Sequence, residues 1–307
     1  MMTLPFRCTV LVALCAPAAA PPVPASAQPG AASPATVLQL HTQNGSWRAL
    51  ALEQLARAGQ QDALASLKQD AARDGTPAQR PALLALARLG DAAAAARLGS
   101  MMGGDPDLET VRALEQSRTV AAGPALVRAL GASSQAVRAE AAVAIGRIGY
   151  AKGAGALRAA LDDTWGEVRA AASAGLLRLG DTSLRAVVEG RLETPLREIQ
   201  LAAADAWAPE QDGKWVAEIE PMLRNPTAEV RHAAAERLAV LRRPQVMAVL
   251  QADLEPDSPD ATREEAARLA SEHAGAADAP WLQRALADPL PAVQIYAAGA
   301  LLRSRRH

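Results

Sequence analysis

Aromatic side chains are scarce: they make up 3% of the 307 residues, with a single phenylalanine. A thick globular core of this length is built from bulky side chains, so their scarcity argues against one. Cysteine is nearly absent too, confined to Cys8 and Cys15 at the N-terminal end. Lysine is reduced to Lys68, Lys152 and Lys214 against a large excess of arginine, which reads as the habit of a G+C-rich genome. Charge of one sign is missing as well. The net charge is −1, so the bulk balance favours neither nucleic acid nor an anionic membrane surface. Past the N-terminal segment no apolar run reaches membrane-spanning length. What is abundant is alanine. Half the residues are hydrophobic, and alanine supplies much of that half, as suits helices packed closely over a thin, repeated layer.

The N-terminus stands apart. Arg7 precedes the apolar run CTVLVALCAPAAA, and Ala25, Ser26 and Ala27 then offer a small-x-small exit. A short positive region, an apolar stretch below spanning length and such an exit describe a secretory signal peptide over residues 1–27. Pro17, Pro21, Pro22 and Pro24 argue against a buried helix there. Leu14 occupies the place where a lipoprotein signal wants a small residue before Cys15, so a lipid anchor is not expected. Processing after Ala27 would remove both cysteines, leaving neither disulfides nor thiolate metal sites. The expected location is outside the cytoplasm, periplasmic or secreted.

Further along, one pattern returns. Val137, Val168, Ile199 and Val230 stand 31 residues apart, and the row continues through Thr262 and Val293. Arg138, Arg169, Gln200, Arg231, Arg263 and Gln294 follow one place later. A pair with four-residue spacing recurs in each second half, among them Leu126/Leu130, Leu157/Leu161, Ile219/Leu223 and Leu282/Leu286, and lies on one helical face. Asx or Thr beside proline marks the unit boundaries, as at Asp105-Pro106, Thr194-Pro195 and Asn225-Pro226. Gly59, Gly90, Gly149 and Gly180 mark the turn after the first helix of four units. Each unit is therefore a helical hairpin, helix A running from cap to glycine and helix B carrying the apolar pair. One hairpin cannot bury its stripe alone, whereas a stack buries a continuous layer. The expected fold is an all-α solenoid. Residues 46–307 hold about eight such hairpins and a final lone helix A near Val293–Arg303, preceded by a tether and cap over residues 28–45.

The D-x-x-x-x-V-R-x-x-A-A-x-x-L-x-x-L-G pattern from Asp163 to Gly180 resembles a HEAT repeat, of the short kind also found in phycobilin lyase subunits. The resemblance covers nearly all of residues 46–307 and is strong in the units beginning at Ala132, Asp163 and Asn225. The units at Thr76 and Asp105 are short, and the unit at Thr194 carries APEQDGK where the Leu-Gly ending belongs. The family includes deoxyhypusine hydroxylase, whose repeats carry paired His-Glu iron ligands at helix starts. Here His232 sits at a comparable place but is followed by Ala233, and the equivalent positions elsewhere are Ala139, Ala170 and Leu201. A metal centre needs several converging ligands. His232 is accordingly expected to be a partly exposed helix residue, and His273 a helix-end contact. No G-x-S-x-G elbow or glycine-rich phosphate loop is present, and MMGGD (Met101–Asp105) has the glycines of a turn without a following lysine. Asn44-Gly45-Ser46 reads as a turn and helix cap. Trp207 and Trp215 fall in core rows, while Trp165 and Trp281 sit at helix starts and are expected to be partly exposed.

The expectation is thus a non-catalytic scaffold that binds another, exported protein, with no catalytic residue, metal, cofactor or nucleic acid assigned. An accessory subunit of an enzyme, or a lyase-like or chaperone-like helper holding a cofactor or client, is the alternative. The resemblance implies that helices B line the concave side. The partner face expected there holds Arg158, Glu189, Glu220, Gln251 and Gln283 in one row and Asp162, Glu193, Arg224 and Glu255 in another. Five acids against two bases favour a mildly basic or mixed-charge segment.

Overall fold

The computed structural model describes residues 33–304 apart from 195, 207–213, 240 and 242. Among them all regular structure is helical. The first helices are α1 (Pro34–Thr42), α2 (Arg48–Arg57), α3 (Gln61–Ala72), α4 (Gln79–Arg88), α5 (Ala92–Met101) and α6 (Leu108–Gln116). Then come α7 (Gly123–Ala129), α8 (Gln135–Arg147), α9 (Ala154–Ala160), α10 (Gly166–Arg178), α11 (Arg185–Leu192) and α12 (Arg197–Ala204). The chain ends with α13 (Lys214–Ile219), α14 (Ala228–Ala239), α15 (Pro244–Asp253), α16 (Asp260–His273), α17 (Ala279–Ala285) and α18 (Pro291–Ser304). The chain is an α-solenoid.

The even-numbered helices begin with the Val-Arg signature or its equivalent, and the odd-numbered ones carry the apolar pairs. Leu126, Leu157, Val188, Ile219, Leu250 and Leu282 are fully buried between the two layers. The glycine turns behave as their chemistry requires: Gly59, Gly90, Gly149 and Gly180 have φ of +83°, +88°, +68° and +98°. The recurring arginine has a structural task. Arg138 donates to the carbonyl of Ala132 at 2.9 Å and pairs with Asp163 at 2.8 Å. Arg231 does the same with Asn225 and Asp253, and Arg263 with Ser258 and Asp288. The side chain thus ties the loop ahead of its helix to the repeat that follows, while satisfying carbonyls that would otherwise be orphaned.

Each even helix packs on the next, from α2 through α4 and on to α18, and α18 packs back on α2. The solenoid therefore closes into a ring. The even helices form its inner wall and the odd helices bridge them from outside, which corrects the expectation that helices B line the concave side. The physical reason is circumference. An inner wall must bring its helices closer together, and the even helices have the small residues for it. A methyl placed on Gly146 of α8 would come within 2.7 Å of the Gly175 Cα of α10, and one on Gly175 within 2.6 Å of the Ala142 carbonyl oxygen. The alanine-rich face belongs inside.

The segment expected as tether and cap contains α1, which packs against both α18 and α2. It stands to α18 as the other odd helices stand to their neighbours, so the final helix A is not alone. Val37 and Leu38 of α1 are buried, and His41 Nε2 meets Gln294 Oε1 at 3.0 Å across 253 residues of sequence. Arg303 donates to Gln54 Oε1 at 3.1 Å and to the Ser271 carbonyl. Gly299 leaves room for Gln54, whose side chain would lie 2.3 Å from a methyl there.

Candidate functional site

The inner wall turns a set of arginines and carboxylates toward the ring axis. Position in the even helices selects them: residues three and four apart share the inward face. On one side Glu53 takes Arg57 at 2.9 Å and Arg88 at 3.4 Å, and Arg88 reaches Glu109 at 2.7 Å. On the other, Asp205 receives Arg147 and Arg237, each at 2.6 Å, and Arg147 also holds Glu115. Arg268 gathers Glu265 at 2.7 Å, Glu272 at 3.2 Å and Glu236 at 3.5 Å. Arg112 stands 3.7 Å from Glu140 and lies in the field of Glu236 and Glu265 from the opposite wall.

Burial and partners set the protonation of these groups. Burial, with the Glu115 carboxylate beside it, pushes Glu140 up to about 8 against the pull of Arg112. Burial alone would raise Glu236 as well, but Arg268, Arg112, Arg237 and Arg147 hold it down to about 2. Burial likewise lifts the Tyr296 hydroxyl above its ordinary range. The centre is an ion-pair network that ties opposite walls together. Its arginines are engaged with carboxylates of the same ring, and such a network is suited to holding a shape.

The histidines lie elsewhere. His232 is buried rather than partly exposed, because Asp253 of the neighbouring outer helix accepts its ring nitrogen at 2.9 Å. His273, half-buried, is the last residue of α16, and His41 belongs to the ring seam. Among the described residues no group of three or more His, Cys, Asp or Glu side chains is placed to hold a metal ion. Trp215 is buried and Trp165 exposed, as expected, and Trp207 lies outside the described residues. Trp281 departs from expectation: it is buried, with Nε1 donating to Asp278 at 3.3 Å. A groove of about 140 Å³ between Arg80, Met101, Met102 and Asp107 is well below the roughly 300 Å³ at which ligand pockets begin.

The residues of the expected partner face are not brought to the ring axis. Arg158, Glu189, Glu220, Gln251 and Gln283 lie on outer helices or the turns that extend them, with Arg158 paired to Asp181 at 3.2 Å and Glu189 3.9 Å from Arg185. Asp162, Glu193, Arg224 and Glu255 are exposed at or just beyond the ends of those outer helices. The axial network itself went unnoticed in the sequence, although Arg147 and Arg178 repeat at 31 residues, as do Glu167, Glu198 and Glu229.

Residues 108–177, from α6 to α10, match the family model for HEAT repeats. Human deoxyhypusine hydroxylase in complex with glycerol is 21% identical over 82% of this chain and 98% of its own, with a TM-score of 0.46. The complex of CpcE and CpcF of phycocyanin lyase from Nostoc sp. PCC7120 is 17% identical over 93% of this chain and 100% of that one, with a TM-score of 0.35. Likenesses at this level say nothing about chemistry. No curated protein matches the sequence significantly.

Proposed function

We propose that the protein is an exported, non-catalytic scaffold that binds another protein on the outer surface and rims of its ring. The observation that carries this reading is the division of labour among its charges. Those on the inner wall are spent on one another, as Arg147, Asp205 and Arg237 are. Exposed side chains such as Asp162, Arg224, Glu255 and Gln283 lie outside that network, at the ends or on the backs of outer helices. Stacked helical repeats present extended surfaces of this kind to partners. Export rests on the signal-like segment at residues 1–27.

Affinity capture from the native host with residues 28–307 as bait tests the reading, with mass spectrometry on the bound material and on the endogenous N-terminus. A defined exported partner and processing near Ala27 are expected. A tightly held small molecule in place of a protein would shift the role to a cofactor-holding helper, and an unprocessed chain would return the protein to the cytoplasm.

A further inference from the structure

All nine inner helices run the same way around the ring, so their N-termini share one rim and their C-termini the other. Along the first rim, at the starts of α10 and α12, Trp165 and Leu196 occupy equivalent positions one repeat apart. Both are large apolar side chains left in solvent, 51% and 55% exposed. The two helix starts adjoin: a methyl on Gly166 would meet the Ile199 Cδ1 at 2.9 Å.

The charge around this pair is one-sided. Glu167 and Glu198 face each other at the same two helix starts, and burial together with the Glu198 charge raises the Glu167 pKa. Glu229 repeats the position on α14, and Asp162 and Glu193 sit on the loops beside it, opposed by the exposed Arg197 and Arg224. Arg169 is turned away into the loop, its guanidinium on the carbonyls of Asp163 and Thr164 at 2.7 and 3.0 Å. Asp163 is already taken by Arg138.

We propose that the rim over the starts of α10, α12 and α14 is a docking surface for a cationic protein segment with one apolar anchor, seated on Trp165 and Leu196. The proposal rests on the scaffold reading and names the surface and the partner chemistry for it. Exposed aromatic side chains beside uncompensated carboxylates are what such a segment would cover, the anchor removing apolar surface from water and the cations meeting the acids. The acids would also steer the encounter, so binding should weaken with salt.

The test uses the full chain and a synthetic dodecapeptide of alternating lysine and serine with one central leucine, followed by calorimetry at low and physiological salt. The wild type should bind it, more weakly with salt, and Trp165→Ser, Leu196→Ser and Glu198→Gln should each lower the affinity about tenfold. A peptide with serine for the leucine should lose as much. Both apolar side chains are half in solvent, so unchanged melting temperatures should confirm that the variants fold. No binding by the wild type, or equal binding by the variants, would overturn the proposal. So would light scattering showing a self-associated wild type that becomes monomeric on Trp165→Ser, since the occupant would then be a second copy. Partner capture separates this inference from the scaffold reading. A partner held equally well by the double variant overturns the rim site alone, whereas peptide binding with no captured partner overturns the scaffold reading alone.

Discussion

Glu140 and Glu236 face the same charged interior and titrate in opposite directions, because their guanidinium neighbours differ. Glu140 has one arginine at 3.7 Å and a carboxylate close by, so its folded pKa, about 8, lies above the ordinary 4.5. The stability it supports is complete below pH 4.5 and is lost as pH rises through about 8. Glu140→Gln should therefore raise the urea midpoint at pH 9 and leave it nearly unchanged at pH 4; an equal shift at both would show that the carboxyl is not desolvated. Glu236, held down to about 2, contributes stability that is present above pH 4.5 and lost as pH falls through about 2. Glu236→Gln should be destabilising at pH 7, with the deficit closing in acid. A third of the Glu236 side chain still meets solvent, which limits the size of the effect. Thermal melts across pH 2–9 for the two variants should give curves that bend in opposite senses.

At the scale of the element, the tight crossing of α8 and α10 is where the inner wall has least slack. Gly146→Ala would drive a methyl to 2.7 Å of the Gly175 backbone, and should cost about 1–3 kcal/mol by urea unfolding. Gly155 of α9 has nothing within 4 Å of such a methyl, so Gly155→Ala should instead stabilise by about 0.5–1 kcal/mol. If both changes are neutral, the two layers are not packed as described. The hairpins themselves were legible in the sequence, since caps, apolar pairs and positive-φ glycines recur in register and each has a local cause. Which layer faces inward was not legible from the period alone, because the repeat reads the same either way. The decisive clue was steric, in the glycines and alanines that the even helices share. His232 was misread for a related reason: its partner Asp253 lies 21 residues on, in the outer helix of the same hairpin, where no helix-face rule places it.

At the scale of the whole molecule, closure changes what kind of object the chain is. An open solenoid has two exposed ends that need capping; here α1 and α18 cover each other. The sequence could not announce it, because α1 carries none of the repeat's signature, and its contacts with α18 join opposite ends of the described chain. Parallel inner helices also align their dipoles, and acids such as Glu109, Glu167 and Glu198 in first turns, with Arg57, Arg88 and Arg303 in last turns, oppose the build-up of charge at each rim. Closure is testable by permutation. His41, at the end of α1, meets Gln294, at the start of α18, so the two helices are antiparallel and Ser304 must lie near Pro34. Elsewhere three residues, Leu89-Gly90-Asp91, suffice to turn from an inner helix to the next outer one. A Leu-Gly-Asp connector from Ser304 to Pro34, with new termini between Gly103 and Gly104 where the chain is uncrowded, should therefore give a folded protein with the parental circular dichroism and a urea midpoint close to the parent's. Three residues span at most about 10–14 Å counting the flanking bonds, which cannot bridge the separated ends of an open stack. The same permutant with a flexible connector of about 20 residues would fold under either architecture. A long-connector chain that folds beside a short-connector chain that does not would mean that the ring is open.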